Sequence, residues 1–173
     1  HFRRLMDAVM ADEVVAIFHN GKFDHEFLEY WGGPAFAMWD SPKRWEDTLI
    51  LAYLRNSRAR RKSLKELSKA DPEDDYTGTA GGNGLGMVMI ELEELFPEGH
   101  PKHQLDYSLL DPSDDGPRIY GCSDAICTYK LFDLLMPQVL HPTDHPYNQQ
   151  KIYRIEKLCV ASTRWMERNR IPT

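Results

Sequence analysis

What the sequence has little of narrows its class first. Only three cysteines occur in 173 residues. Odd in number and widely spread, they argue against a disulfide framework and for a reducing compartment. No apolar run approaches the ~20 residues that a membrane span needs, and the opening HFRRLMDAVM does not read as a signal peptide. Net positive charge is lacking too. Lys+Arg 21 against Asp+Glu 27 leaves a formal −6, which argues against a protein held on nucleic acid by bulk charge alone. An enzyme that handles nucleic acid through metal ions stays open. No internal repeat is found. With 42% hydrophobic and 28% charged residues the chain is neither low-complexity nor wholly disordered. Its length suits one domain plus a little, burying roughly 70% of the unfolded surface.

The apolar pattern predicts mostly helix. Residues 3–11 have helical spacing, with Leu5, Met6, Val9 and Met10 apolar. Val14 to Phe18 is a short apolar run rich in β-branched residues, which reads as a buried, parallel strand. Asn20 can cap a helix from about Gly21 to Trp31, with Phe23, Phe27 and Trp31 on one stripe and Gly32-Gly33-Pro34 as its stop. A second helix follows Asp47, with Leu49, Ile50, Tyr53 and Leu54 available for burial. Ser63-Leu-Lys-Glu66 fits a capping box and opens a third. Residues 71–117 read as an insertion, acidic at DPEDDY and glycine-rich at TGTAGGNGLG, with a helix expected over 87–96. A long helix is expected from about Arg118 to Met136, ended by Pro137. HPTDHP (141–146) is a linker. A last helix over about 148–168 carries Ile152, Ile155, Cys159 and Met166 at helical spacing. The alternation selects an α/β class, although a single strand stands out and a sheet needs partners.

Asp124 is the most informative residue. Tyr120, Asp124, Cys127/Thr128, Leu131 and Leu135 fall on one helical stripe, so a carboxylate lies on the face that otherwise packs into the core. Left unpaired there it would cost several kcal/mol, so it needs a cation, a donor network or a metal. Tyr120 sits one turn before it and points the same way. The plainer alternative is an acid in the first turn, stabilising the helix dipole. Asp24 lies just past the C-terminal end of the apolar strand, where open α/β sheets place ligands, or is again a first-turn acid. Asn20 and Asp47 are most simply caps.

In combination these features are more specific. HNGKFDHEFL (19–28), WEDTLILAYL (45–54) and YGCSDAICTYKLF (120–132) occur in that order. Together they resemble the 3′–5′ proofreading exonuclease domain of family A (DNA polymerase I-like) DNA polymerases, in the DEDD exonuclease superfamily. The matched features are Asn20…Asp24, the Asp47-Thr48 helix start, and Tyr120…Asp124 with Thr128 following. They span about residues 3–136 outside the insertion. The closing 155–172 resembles the helix that leads such domains into the polymerase domain, with Arg170 where the family usually has Gly. The domain division implied is 1–140 for a partial exonuclease domain and 141–173 for a linker and the start of a polymerase-domain helix.

The resemblance implies an RNase H-like fold and two-metal phosphodiester hydrolysis, with Mg²⁺ or Mn²⁺ as the hard ions that carboxylates favour. It makes Asp124 a direct metal ligand and Asp24 a holder of the second ion. Tyr120 becomes the residue that orients the attacking water, which is the tyrosine subtype. Asn20 would contact the substrate strand. The implied partners are a single-stranded or frayed 3′ end of DNA and the remainder of a polymerase chain, with no membrane. The implied setting is the cytoplasm of a bacterium or a phage-infected host.

The family's first motif, Asp-x-Glu on an opening strand, precedes everything matched here, and Asp71-Pro-Glu73 has the right letters in the wrong place. The expectation is therefore a segment of a longer polymerase, cut at both ends, that hydrolyses DNA poorly on its own. A catalytically silent exonuclease-like scaffold and a stand-alone RNA-processing nuclease are the alternatives. Arg55, Arg58, Arg60, Arg61, Lys62 and Lys65 form the single basic cluster, read as a solvated face or a phosphate-contacting patch. The glycine-rich run lacks phosphate-loop spacing. The histidines at 100, 103, 141 and 145 lack a Cys-x-x-Cys to complete a zinc site.

Overall fold

A computed structural model describes residue 7 and residues 14–33, 43–57, 63–69, 89–96, 106–140 and 149–169. In chain order they form β1 (Ala16–Phe18), α1 (Lys22–Gly32), β2 (Trp45–Asp47), α2 (Thr48–Arg55) and α3 (Leu64–Lys69). Two short 3₁₀ helices (Leu92–Leu95 and Tyr107–Leu109), α4 (Asp115–Leu140) and α5 (Gln149–Arg168) follow. The described part is helix-rich with a two-stranded parallel sheet, broadly α/β. The chain divides into two compact units, His1–Lys62 with Phe132–Thr173, and Ser63–Leu131. No helix among the described residues is long and apolar enough to cross a membrane.

In the first unit the missing sheet partner is Trp45-Glu46-Asp47, which pairs in parallel with β1 in the register Ala16–Trp45, Ile17–Glu46, Phe18–Asp47. Three residues are too few to show a period, so sequence alone did not reveal it. Trp45 and Asp47 are buried, and Asp47 ends β2 where α2 begins. Its carboxylate caps α2 by accepting from Leu49 N–H at 2.8 Å, as expected. It also accepts from the N–H groups of Asn20 (3.2 Å) and Gly21 (2.8 Å). The turn before α1 is therefore held from the neighbouring strand, not by Asn20. Asn20 instead takes the left-handed conformation at φ 63° that its short polar side chain tolerates. A Cβ on Gly21 would lie 2.7 Å from Phe18 Cβ, so only glycine fits this close approach.

That approach turns α1 away from its expected packing. Its buried residue is His25, whose ring lies 4.7 Å from Phe18 and 5.1 Å from Trp45 between centroids. Phe23, Phe27 and Trp31 face outward, Trp31 at 70% exposure. On α2, Leu51 and Ala52 are buried, while Tyr53 is exposed.

α5 also inverts its expected face. Ile152, Ile155 and Cys159 are exposed, and Gln149, Tyr153, Lys157 and Arg164 are buried. The reason is charge matching on the first unit's other elements. Lys157 Nζ donates to Glu46 at 2.9 Å, and the Tyr153 hydroxyl donates to the same oxygen at 2.6 Å. Tyr153 Oη in turn accepts from Asp47 N–H at 3.0 Å. Arg164 pairs with Glu29 at 3.1 Å, and Arg168 grips Glu29 with both terminal nitrogens at 3.0 and 2.9 Å.

In the second unit Ser63 caps α3 as expected, with Glu66 N–H donating to Ser63 Oγ, and the Ser63 hydroxyl donates to the Glu66 carboxylate. Of the helix expected over 87–96, the described residues 89–96 hold only the 3₁₀ helix Leu92–Leu95, closed by its own Glu91/Glu94 box while the chain returns to extended geometry at Phe96. α4 starts at Asp115 and passes through Pro137 instead of ending there. Proline at this point removes one hydrogen bond three residues from the end, where a helix frays anyway. Apart from Asp7, which is helical, the helix expected over 3–11 lies outside the described residues. So do the stretch 71–86 and the linker 141–146.

Asp47→Ala strips three backbone donors of their acceptor and is expected to cost about 3 kcal/mol in urea unfolding, without loss of helix in the remaining folded population. His25 is held neutral: burial, and secondarily the charge of Arg164, lower its pKa to about 4. The unfolded chain then binds the extra proton between pH 6.5 and about 4. Stability is accordingly complete above 6.5 and falls as pH drops through that window, by about 3 kcal/mol at most. Unfolding free energies measured from pH 7 to 4.5 are expected to show this slope in the wild type and to lose most of it in His25→Leu.

Candidate functional site

The residues singled out from sequence fall into the two units, Asn20 and Asp24 in the first, Tyr120 and Asp124 in the second. In the first unit the C-terminal end of β1 leads into His19-Asn20-Gly21 and then α1, with Asp24 in its first turn. This is the crest of a parallel pair, where helix N-termini and strand ends converge. Thr48, the first residue of α2, donates its single hydroxyl proton to Phe18 O at 3.1 Å. The 2.8 Å contact between Thr48 Oγ1 and His19 Nδ1 must therefore be donated by the ring, so Nδ1 carries a proton. The contact between His19 and Thr48 was not legible in sequence, because neither spacing nor composition marks a pairing across 29 residues.

Asp24 is exposed at the surface, yet crowding by neighbouring protein raises its carboxyl above the usual value. Its own backbone N–H partly offsets this, and the Asp47 charge adds to the rise. Asn20 is exposed beside a cleft of about 250 Å³ that also takes in Lys22, Asp47, Tyr53 and Cys159. Its backbone N–H is committed to Asp47.

In the second unit the α4 stripe is as expected. Cys127, Thr128 and Leu131 are buried, and Tyr120 and Asp124 lie half-buried at its start. The Tyr120 hydroxyl hydrogen-bonds to the Asp124 carboxylate. Asp124 Oδ1 is nevertheless buried with no hydrogen-bond partner. Burial accordingly raises the Asp124 pKa, against the opposing pull of Tyr120 and of the Lys65 charge. Lys65 Nζ sits 5.0 Å from the Tyr120 ring centroid and 3.0 Å from Glu91 Oε2. The expected need of Asp124 for a donor and a cation is thus met on one side only. Sequence placed Lys65 within a basic cluster, of which Arg58, Arg60, Arg61 and Lys62 lie outside the described residues. Arg55 is engaged by Gln138 at 2.6 Å.

As donors, Asp24 and Asp124 suit a hard divalent cation, and the buried, unpartnered Oδ1 is the kind of atom a metal would complete. Among the described residues, no group of three or more His, Cys, Asp or Glu side chains is arranged to hold a metal ion. Donor chemistry fits; donor number in either unit falls short. Cys122 and Cys159 are exposed free thiols and Cys127 is buried. The four zinc-candidate histidines and Asp71-Pro-Glu73 lie outside the described residues.

No protein-family model matches the chain, and no curated protein or solved structure matches it significantly.

If the Tyr120 hydroxyl supports the Asp124 carboxylate, their effects on stability are coupled. A double-mutant cycle of Tyr120→Phe and Asp124→Asn, read by urea denaturation, is expected to give a coupling of about 1 kcal/mol, reduced from the full charged value by partial exposure.

Proposed function

We propose that this chain is the 3′–5′ proofreading exonuclease part of a family A DNA polymerase, with an RNase H-like arrangement of its α/β elements. Its substrate is the 3′ terminal phosphodiester of single-stranded or frayed DNA. One observation carries the reading: Tyr120 and Asp124 hydrogen-bond on one helix face while a buried carboxylate oxygen is left without a partner. The motif order supports it, as does the position of Asn20 and Asp24 at the end of a parallel strand.

In this reading Asp124 in the second unit would bind a divalent ion directly, and Asp24 in the first has the role of ion holder that the resemblance implies. Bound Mg²⁺ or Mn²⁺ supplies Lewis acidity at the attacking water and at the leaving 3′ oxygen. Tyr120 donates a hydrogen bond to Asp124, which leaves its oxygen lone pairs to accept a hydrogen bond from the water and aim it at phosphorus. The water oxygen bonds to phosphorus as the bond to the 3′ oxygen breaks. A proton passes to that oxygen, and a nucleoside monophosphate leaves. Asn20 holds the strand through its amide. The rest of the polymerase chain supplies the basic surface that a net charge of −6 lacks.

A second reading, a silent exonuclease-like scaffold, is favoured by the absence of a three-donor cluster among the described residues. Cations separate the two. If Asp124 is a ligand, Mg²⁺ or Mn²⁺ at ten times its Kd stabilises the wild type by about 1.4 kcal/mol, a rise of about 4 °C in Tm. Asp124→Asn abolishes the rise. Slow shortening of a 5′-labelled single-stranded oligonucleotide from its 3′ end, lost in the same variant, accompanies it. Binding of the oligonucleotide without either cation effect supports the scaffold instead.

A further inference from the structure

We infer that Lys65 contacts a substrate phosphate beside Tyr120 and Asp124, an inference that rests on the proposed nuclease reading and names a residue it does not otherwise use. Lys65 belongs to α3, whose start is capped by Ser63 and whose Leu67 and Ser68 are buried. A short helix anchored at both points presents its intervening side chain in a defined place. There the ammonium is held from two directions, by Glu91 Oε2 at 3.0 Å and by the face of the Tyr120 ring at 5.0 Å.

The Lys65 side chain keeps 21% of its surface open. An ammonium has three donors in a tetrahedral fan; Glu91 takes one and the ring faces another direction. Its charge reaches Asp124, yet Asp124 Oδ1 has no hydrogen bond from it. Lys65 is therefore close to the carboxylate without being its bonded partner. Had it evolved only to neutralise Asp124, the shortest arrangement would be a direct pair. Held back by Glu91 and the ring, it offers a fixed point charge beside an acidic site that a phosphodiester must approach. Such an approach needs a cation to offset repulsion by the carboxylates, and lysine binds phosphate as a point charge.

The chemical class recognised is thus a nucleic-acid phosphate, contacted through a non-bridging oxygen. Glu91, which also takes part in the box that closes the Leu92–Leu95 helix, is a positioning residue for Lys65 in this arrangement.

The test uses the 173-residue chain and a 5′-fluorescein single-stranded oligonucleotide, with anisotropy read in EDTA over a series of salt concentrations. Lys65→Gln is expected to weaken binding about fivefold and to flatten the slope of log K against log salt by about 0.7, the value for one phosphate on a single strand. Lys65→Arg restores both. Glu91→Gln leaves the slope unchanged, because the Lys65 charge remains, and weakens binding less than Lys65→Gln does, whereas a purely structural ion pair would fail equally from either side. Arg154→Gln, an exposed cation on α5, leaves both quantities near wild type. If the wild type binds and Lys65→Gln keeps its slope, Lys65 is only the counter-ion of Glu91 and the inference falls alone. A wild type that fails to bind the oligonucleotide removes the nuclease reading together with it. Circular dichroism of each variant separates lost contact from lost fold, and Lys65→Arg stands as the second variant if Lys65→Gln unfolds.

Discussion

The first unit depends on one buried carboxylate. Asp47 ends β2, opens α2 and accepts backbone N–H groups from Leu49, Asn20 and Gly21. Its own N–H is held by Tyr153 from α5. Three segments distant in sequence, around residues 20, 47 and 153, are thereby referred to a single residue. A carboxylate suits the role because its two oxygens accept several donors at once and its charge complements two helix starts. Removing it from water is tolerable only because those donors replace the hydration it gives up. The turn carrying Asn20 and the first turn carrying Asp24 follow from this anchor.

The same economy of polar contacts explains the orientation of α5. An amphipathic helix ordinarily buries its apolar stripe, and here Tyr153, Lys157 and Arg164 are inside while Ile155 is 49% exposed. Lys157 lies over Trp45 and Tyr153, each about 5 Å away, with Glu46 as its ion partner. Burial lowers the Lys157 pKa, and Glu46 opposes that shift. Burial and Glu46 together push the Tyr153 phenol upward, so it remains a proton donor. Buried pairs of this kind contribute little net stability when their desolvation is counted. Their consequence is directional: only one rotation of α5 satisfies Glu46 and Glu29 together.

In the second unit the balance is different. Asp124 has a phenol and a nearby ammonium, and still one oxygen unsatisfied. A protein selected for stability alone would complete that oxygen or replace the acid with an apolar residue on the same stripe. That oxygen lies on a face that continues into buried Cys127 and Leu131, and the proposed reading gives it a cation to bind. Glu46 differs, because its carboxylate accepts from both Tyr153 and Lys157 within the first unit.

By itself the sequence determined the features that are local. The capping of α2 by Asp47, the cap at Ser63 and the α4 stripe through Asp124 depend on residues within a few positions of one another, and periodicity reads them. The length of α4 beyond Pro137, the shrinkage of 89–96 to a single 3₁₀ helix and the existence of β2 did not show, because each turns on hydrogen bonds or packing a few residues can neither compel nor forbid. Which face of α1 and α5 lies inside was decided by tertiary structure alone. Hydrophobic spacing ranks faces by their affinity for water. It carries no record of Gly21 closing on Phe18, or of Glu46 and Glu29 waiting more than 100 residues upstream to receive Lys157 and Arg164. The scarcity of cysteine and of long apolar runs limited the class of protein from the start, and the placement of its charges settled how the helices turn.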